Sequence, residues 1–377
     1  MSRRLADLMV DADDDTVTKT ETMQVDDLNS VSIYPYKRRR LPQEIIFEIL
    51  LRLPAQVIHD KRYVYEEWKL MTGAKDFIYS HLWNSTPGIL IMENHKNYGI
   101  YVEMRRGCLE ICKFDCGSFQ LIGNSVNGLV LATPKDKESR DKQILSVFNP
   151  LTKQHVGVPY DDSVIFSTTL AFAEASMKYK VVRSCHPKSS WCVGLLTIGV
   201  DEEWRYIDIQ HISMLAQSVL WNEPRVTRGY VHWIDSLIVL TLDVETEVIY
   251  EFAKPEFGPR RGFLAMGHNI FFYHLPRQPK SHEYLMEVWE MNSETGEWTM
   301  LFTSDLKPLS DRFKGLNSIN VFGMLASGEV LLFGIVGSEK LCGAYNVRTR
   351  DVQWIQLEKC ASKYYPIPHV NSMVWLE

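Results

Sequence analysis

Cys108, Cys112 and Cys116 recur at every fourth position, the stretch of this chain whose spacing comes nearest to a metal site. Alternate residues of a strand share a face, so thiols four apart line up there without any metal. A tetrahedral zinc site also needs a fourth ligand, and Cys185 and Cys192 do not form a matching pair. The three thiols are read as structural, and no metal is assigned. The eleven histidines include no H-E-x-x-H, and neither a G-x-S-x-G elbow nor a P-loop occurs. The neighbouring acids Glu66-Glu67, Asp161-Asp162 and Glu202-Glu203 face opposite sides of a strand or lie on a solvated helix edge. They are not paired catalytic carboxylates, so no catalytic group and no cofactor is assigned.

The informative chemistry is apolar. Leu41-Pro42 opens a helix, with the proline ring where a backbone donor would have no partner anyway. Ile45, Ile46, Ile49, Leu50 and Leu53 then fall on one stripe of a 3.6-residue period, and Pro54 ends the helix. Val64, Trp68 and Met71 mark a second helix that Gly73 breaks, and a third short turn runs from Asp76 to Trp83. Three helices of this size cannot form a stable core alone. Their apolar face fits a partner's groove; packing on the rest of the chain is the alternative.

Composition bounds the setting. The chain has 377 residues, a net charge of −6, 45% hydrophobic residues and 11% aromatic residues. The length allows two or three domains. The negative balance argues against nucleic-acid binding, and the aromatic density suits β-sheets. Seven scattered cysteines and no secretory h-region point to thiols in a reducing compartment. No apolar run reaches the ~18 residues needed to span a membrane. A soluble protein of the cytoplasm or nucleus is expected, with no membrane partner.

Residues 1–36 are polar and acidic and read as a disordered tail. Lys37-Arg38-Arg39-Arg40 is either a nuclear import signal or a solvated cluster at the edge of the helical segment, 37–86. From 87 to 377 the texture is short β-type runs between Gly, Pro, Asn and Asp. Within it, Asn149, Asp243, Asn292 and Asn346 each end an apolar run and precede a Thr by three residues. Arg105-Arg106-Gly107 and Asp201-Glu202-Glu203 supply two more turns. The six turns, at 106, 149, 201, 243, 292 and 346, lie 42 to 54 residues apart. That period predicts a six-bladed β-propeller of roughly four strands per blade. The apolar run Val370–Leu376 is expected to pair with Ile89–Met92 and close the ring, because an open edge strand is a liability.

Leu41-Pro42, Glu44-Ile45-Ile46, Glu48-Ile49-Leu50, Arg52-Leu53-Pro54, Arg62, Val64, Trp68, Phe77 and His81-Leu82 resemble an F-box. Asn127-Gly128-Leu129, Phe148-Asn149-Pro150-Leu151-Thr152, Trp204-Arg205 and Gly229-Tyr230-Val231-His232-Trp233 resemble the F-box-associated domain, a kelch-like family that follows plant F-boxes. The resemblance implies a small all-α F-box followed by an all-β propeller, docked on a Skp-type adaptor and through it on a cullin ubiquitin ligase. It places Leu41, Pro42, Ile45, Ile46, Ile49, Leu50, Leu53, Pro54, Val64 and Trp68 at the adaptor and the β-domain on an unknown target protein. His59, Asp60, Lys61, Tyr65 and Glu66 depart from the F-box pattern, and burying unpaired charge is costly. Two other readings stay open: a binding module with weakened or lost ligase coupling, and a propeller enzyme.

Overall fold

The computed structural model describes residues 41–376 except 94–97, 135–144, 160–164, 186–190, 256–260, 267–268, 275–284, 308–318, 326–327, 336–340 and 357–363. The acidic tail and the basic tetrad lie outside the described residues.

Among the described residues four short helices come first: α1 (Gln43–Leu51), α2 (Ala55–Lys61), α3 (Glu66–Gly73) and α4 (Lys75–Asn84). The sequence had suggested three. The difference is Pro54, which occupies the N-cap of α2. A proline ends one helix and, with its fixed φ, starts the next. His81 in α4 then ties the pieces together, because its Nε2–H donates to the Leu53 carbonyl at 2.8 Å.

Among the described residues twenty-four strands follow, in six four-stranded antiparallel sheets. Blade 1 holds β1 (Gly88–Glu93), β2 (Tyr98–Arg105) and β3 (Cys108–Asp115). Blade 2 is β4 (Phe119–Val126), β5 (Leu129–Pro134), β6 (Leu145–Phe148) and β7 (His155–Val158). Blade 3 is β8 (Ile165–Ala173), β9 (Lys178–Cys185), β10 (Cys192–Thr197) and β11 (Arg205–Asp208). Blade 4 is β12 (Arg225–Thr227), β13 (Tyr230–Ile234), β14 (Ile238–Asp243) and β15 (Ile249–Ala253). Blade 5 is β16 (Arg261–Met266), β17 (Asn269–His274), β18 (Leu285–Met291) and β19 (Trp298–Asp305). Blade 6 is β20 (Ile319–Leu325), β21 (Val330–Ile335), β22 (Leu341–Asn346) and β23 (Val352–Gln356). The last strand, β24 (Tyr364–His369), returns to blade 1 in the order β24-β1-β2-β3.

Chain ends therefore fasten the ring, but not through the run expected to do it. Tyr364–His369 pairs with Gly88–Glu93, whereas Val370–Leu376 forms no strand. It is nonetheless buried at Ser372, Met373, Val374 and Leu376. Its apolar residues pack as an irregular strap, where a strand would leave backbone groups on an open edge.

The six turns found by period are the six hairpins between the third and fourth strands of the blades. Four share one mechanism. The Oδ1 atoms of Asn149, Asp243, Asn292 and Asn346 each accept the backbone N–H groups two and three residues on, at 2.8–3.2 Å. The residue four on takes a left-handed conformation: Lys153, Glu247, Gly296 and Arg350 have φ of 63°, 59°, 71° and 63°. The side chain holds the turn, so only one of these four positions needs a glycine.

Inner strands are apolar on both sides, since each blade packs between two others. In β5, Leu129, Val130, Leu131, Ala132 and Thr133 are all buried. Trp204 stacks on the buried Arg183 guanidinium, 3.8 Å from its ring centroid, and donates its indole N–H to Pro159 O. Blades 3 and 4 are clasped by Glu247. Its carboxylate takes two N–H bonds from Arg205, at 2.7 and 2.8 Å, and one from Lys180 at 2.9 Å. Arg205 first, and then Lys180, hold the Glu247 carboxyl down to about 2.

Candidate docking surfaces

Alternation of strand direction places every first-to-second and third-to-fourth connection at one end of the propeller. There lie the short turns Asn127-Gly128, Glu174–Met177 and Arg228-Gly229, together with the Asx hairpins. The second-to-third connections and the blade-to-blade connections lie at the other end. They include the run 209–224, which carries the short helix Met214–Ser218.

The helices belong to the short-turn end, because only residues 85–87 separate α4 from the start of β1. Leu50, Ala55, Ile58 and Phe77 form one buried cluster with Leu151, from the Asn149 hairpin, and Met373, from the strap. Leu82 joins Leu129, Leu131, Val374 and Leu376 in another. Arg105 also donates to Arg52 O at 3.2 Å. The strap is thus the middle layer. The Asn149 amide donates to Ser372 O at 3.1 Å and Val374 O at 2.7 Å, and Ser372 Oγ donates to Asn127 O at 2.5 Å. A Cβ on Gly128 would meet Ser372 Oγ at 2.3 Å, and Gly128 sits at φ 84°. The Asn-Gly pair therefore gives the strap its path.

The predicted adaptor residues divide. Leu50 is 2% exposed and belongs to the core just described. Ile46, Ile49, Leu53, Pro54 and Trp68 are half-buried. Leu41, Pro42, Ile45 and Val64 are exposed, with Ile45 at 46% and Val64 at 50%. Leu70, at 67%, joins them and was not singled out from the sequence. The i, i+4, i+7 pattern that led through Val64, Trp68 and Met71 passes beside Leu70, so periodicity alone did not find it. Asp60, Lys61 and Glu66 are exposed as well. Asp60 accepts a hydrogen bond from Gln56, and Glu66 pairs with Lys69.

Two buried histidines outside the helices resemble reactive groups. His232 is fully buried; its Nδ1 shares a hydrogen bond with Thr241 Oγ1 at 2.9 Å. Its Nε2 faces Thr227 Oγ1 at 3.0 Å and Ser293 Oγ at 3.3 Å. A Ser–His–Thr chain of this kind lacks both a carboxylate and room for a substrate: Ser293, His232 and Thr241 are at most 1% exposed. Burial brings the imidazole down to about 3, so it is neutral and joins blades 4 and 5. His369, on the closing strand, accepts from Ser125 Oγ at 2.7 Å and donates to Asn371 Oδ1 at 3.2 Å. Burial lowers it to about 4.

Cys108 lines a cavity of about 370 Å³ between blades 1 and 6, with Met104, Leu109, Val330, Asn346 and Asp351. One carboxylate without a base beside it makes no acid–base pair. Among the described residues no group of His, Cys, Asp and Glu could hold a metal ion.

The chain is 26% identical over 217 residues to a protein of Arabidopsis thaliana described as "Putative F-box protein". That alignment covers 54% of this chain and 52% of the relative, so the chain spans about half the length of that curated relative. Among solved structures, a DUF4784 family protein from Bacteroides caccae aligns over 72% of this chain and 70% of its own, at 6% identity and TM-score 0.37. An oligogalacturonate lyase in complex with manganese aligns over 70% of this chain and 77% of its own, at 8% identity and TM-score 0.39. Residues 110–374, more than two thirds of the chain, match the family model of the F-box associated beta propeller domain, and the chain belongs to that family.

Proposed function

We propose that this chain is the non-catalytic substrate-recognition subunit of a Skp–cullin–F-box ubiquitin ligase. In this reading residues 37–86 are the F-box, 87–377 the target-binding propeller, and 1–36 an acidic tail. The carrying observation is the set of apolar side chains that the helices leave uncovered: Ile45, Val64 and Leu70. Leu50, Ile58 and Phe77 already satisfy the helices' own packing, and large apolar side chains left exposed on so short a segment favour a protein contact. The partner is a Skp-type adaptor and, through it, a cullin.

The target, an unknown protein, sits on the end of the propeller that carries the run 209–224, away from the helices. Loops carry recognition on a scaffold that fixes their position. Ubiquitin transfer belongs to other subunits, and this chain raises the effective concentration of the target's lysines. The site of action is the cytoplasm, the nucleus or both, with Lys37–Arg40 as the import signal.

A second reading, a propeller whose ligase coupling is weak, is favoured by Asp60 and Glu66 on the exposed helix surface. One experiment addresses both. Purified adaptor is titrated into the chain and into a variant carrying Asp60→Arg, Lys61→Phe and Glu66→Lys. Binding by the natural chain supports the ligase reading. Binding by the variant alone supports the uncoupled module, and binding by neither excludes the docking assignment.

A further inference from the structure

Cys185 and Cys192 end β9 and begin β10, directly opposite one another in the register of blade 3. Their sulfur atoms are 2.9 Å apart, and both residues are buried, at 0% and 8% exposed. Sequence spacing alone excluded them as a metal pair and left their proximity unseen. Six residues separate them, and only the antiparallel hairpin brings the two thiols together.

We infer that Cys185 and Cys192 form a redox-responsive pair that closes into a cross-strand disulfide under peroxide. Directly opposed residues of an antiparallel pair have Cα atoms about 4.5–5.5 Å apart, within the span a disulfide accepts. Closure therefore needs little backbone movement. Cys192, the less buried, reacts first. Its thiolate attacks hydrogen peroxide, the O–O bond breaks, and Cys192 sulfenic acid and hydroxide form. The Cys185 thiolate then attacks the sulfenic sulfur; the S–S bond forms, and hydroxide leaves to be protonated as water. In sum two thiols and one peroxide give one disulfide and two waters. Because the resolving thiol already lies against the sulfenic acid, over-oxidation up the ladder is intercepted.

The bridge would tie the last residue of β9 to the first of β10, at the end of the propeller opposite the helices. Trp191, next to Cys192, packs with Phe166 and Trp221 at ring centroids of 4.9 and 5.3 Å. Trp221 is 60% exposed. The redox state of the pair thus fixes a hairpin that borders an exposed aromatic cluster.

Trypsin offers a direct reading, since Lys188 lies between the two cysteines and Arg183 and Arg205 flank them. The full folded chain is treated with hydrogen peroxide, quenched, unfolded, alkylated and digested without reductant. The dose is set to oxidise the exposed Cys108 and Cys112, which report that oxidant was sufficient. The inference expects Ser184–Lys188 and Ser189–Arg205 as one cross-linked pair, lighter by two hydrogens than their sum. Thiol reductant should restore the separate peptides, and Cys192→Ser should abolish the link. Both peptides recovered singly and alkylated, while Cys108 and Cys112 are oxidised, would overturn it. So would a sulfinic acid at Cys192 without a link, or a link that appears only when peroxide is added after unfolding.

Discussion

At the scale of single residues, the side chains that matter hold the turns and the strap. Asn149 is the strongest case: fully buried, it accepts two backbone N–H groups and donates twice to the strap. Replacing it by Ala leaves buried carbonyls without donors, at a cost on the order of 2–4 kcal/mol. The equivalent Asn292 is exposed and holds only its own hairpin, so Asn292→Ala should cost under about 1 kcal/mol. Urea unfolding of the two variants tests the contrast, and equal losses would count against the strap as the reason. The four Asx turns were legible because the residue type carries its own mechanism. The strap contacts of Asn149 were not, because they join positions more than 220 residues apart.

Histidine burial makes a second residue-scale prediction. His369 and His232 are lowered to about 4 and about 3 by desolvation. The unfolded chain takes up their protons near the ordinary value of ~6.5, where the folded chain does not. Their contribution is therefore complete above about pH 7 and is lost as pH falls through 6.5 towards 4 and 3. Each adds a slope approaching ~1.4 kcal/mol per pH unit across its window. Unfolding free energy measured from pH 7.5 to 5 should fall, and His369→Gln should flatten the fall. The Glu247 clasp acts in a lower window, because its carboxyl is held at about 2 and its stabilisation disappears only as pH drops below about 4.5.

Among the elements, the helical segment shows what periodicity can and cannot decide. The stripe Ile45, Ile46, Ile49, Leu50 and Leu53 was readable as one apolar face. Which part of it meets the chain's own strap and which part stays open was not, because the covering residues, Leu151 and Met373, lie far off in sequence. The additional helix, α2, was missed for a related reason: Ala55–Lys61 is too short for periodicity, and Pro54 is its main signal. The division gives separable mutants. Leu50→Asp places a charge in the core and should lower the melting temperature of the whole chain. Ile45→Asp with Val64→Asp should leave melting unchanged and reduce adaptor capture at least tenfold. Undiminished capture by the Ile45/Val64 variant would remove the basis for docking through this surface.

On the scale of the whole molecule, the period of 42 to 54 residues was enough to give six blades, since each hairpin carries its own turn signal. Closure was legible only in part. The sequence showed that both chain ends carry apolar runs; it could not show that the shorter, proline-containing Tyr364–His369 supplies the paired strand. That segment, YYPIPH, has two prolines and reads poorly as a strand, yet it is the innermost strand of blade 1. A proline lacks the donor needed for a ladder bond on its N–H side, and such positions are tolerated where that side faces no partner strand. An innermost strand meets those conditions, because β24 has only β1 as a ladder neighbour. Two truncations separate strand from strap. Removing residues 364–377 deletes the pairing with β1 and exposes Leu90 and Ile91, so the β-domain should lose cooperative unfolding altogether. Removing residues 370–377 keeps the strand but strips the layer between helices and propeller, taking with it the Asn149 and Asn127 contacts and the packing of Met373 and Val374. The expected outcome is a chain that still melts in one transition but at lower temperature, with the helical segment more readily cleaved by protease. If the shorter truncation instead melts within error of the full chain, the strap is not what joins the helices to the propeller, and residues 43–84 must be held by the Arg105–Arg52 contact and the packing of Leu151 and Leu82.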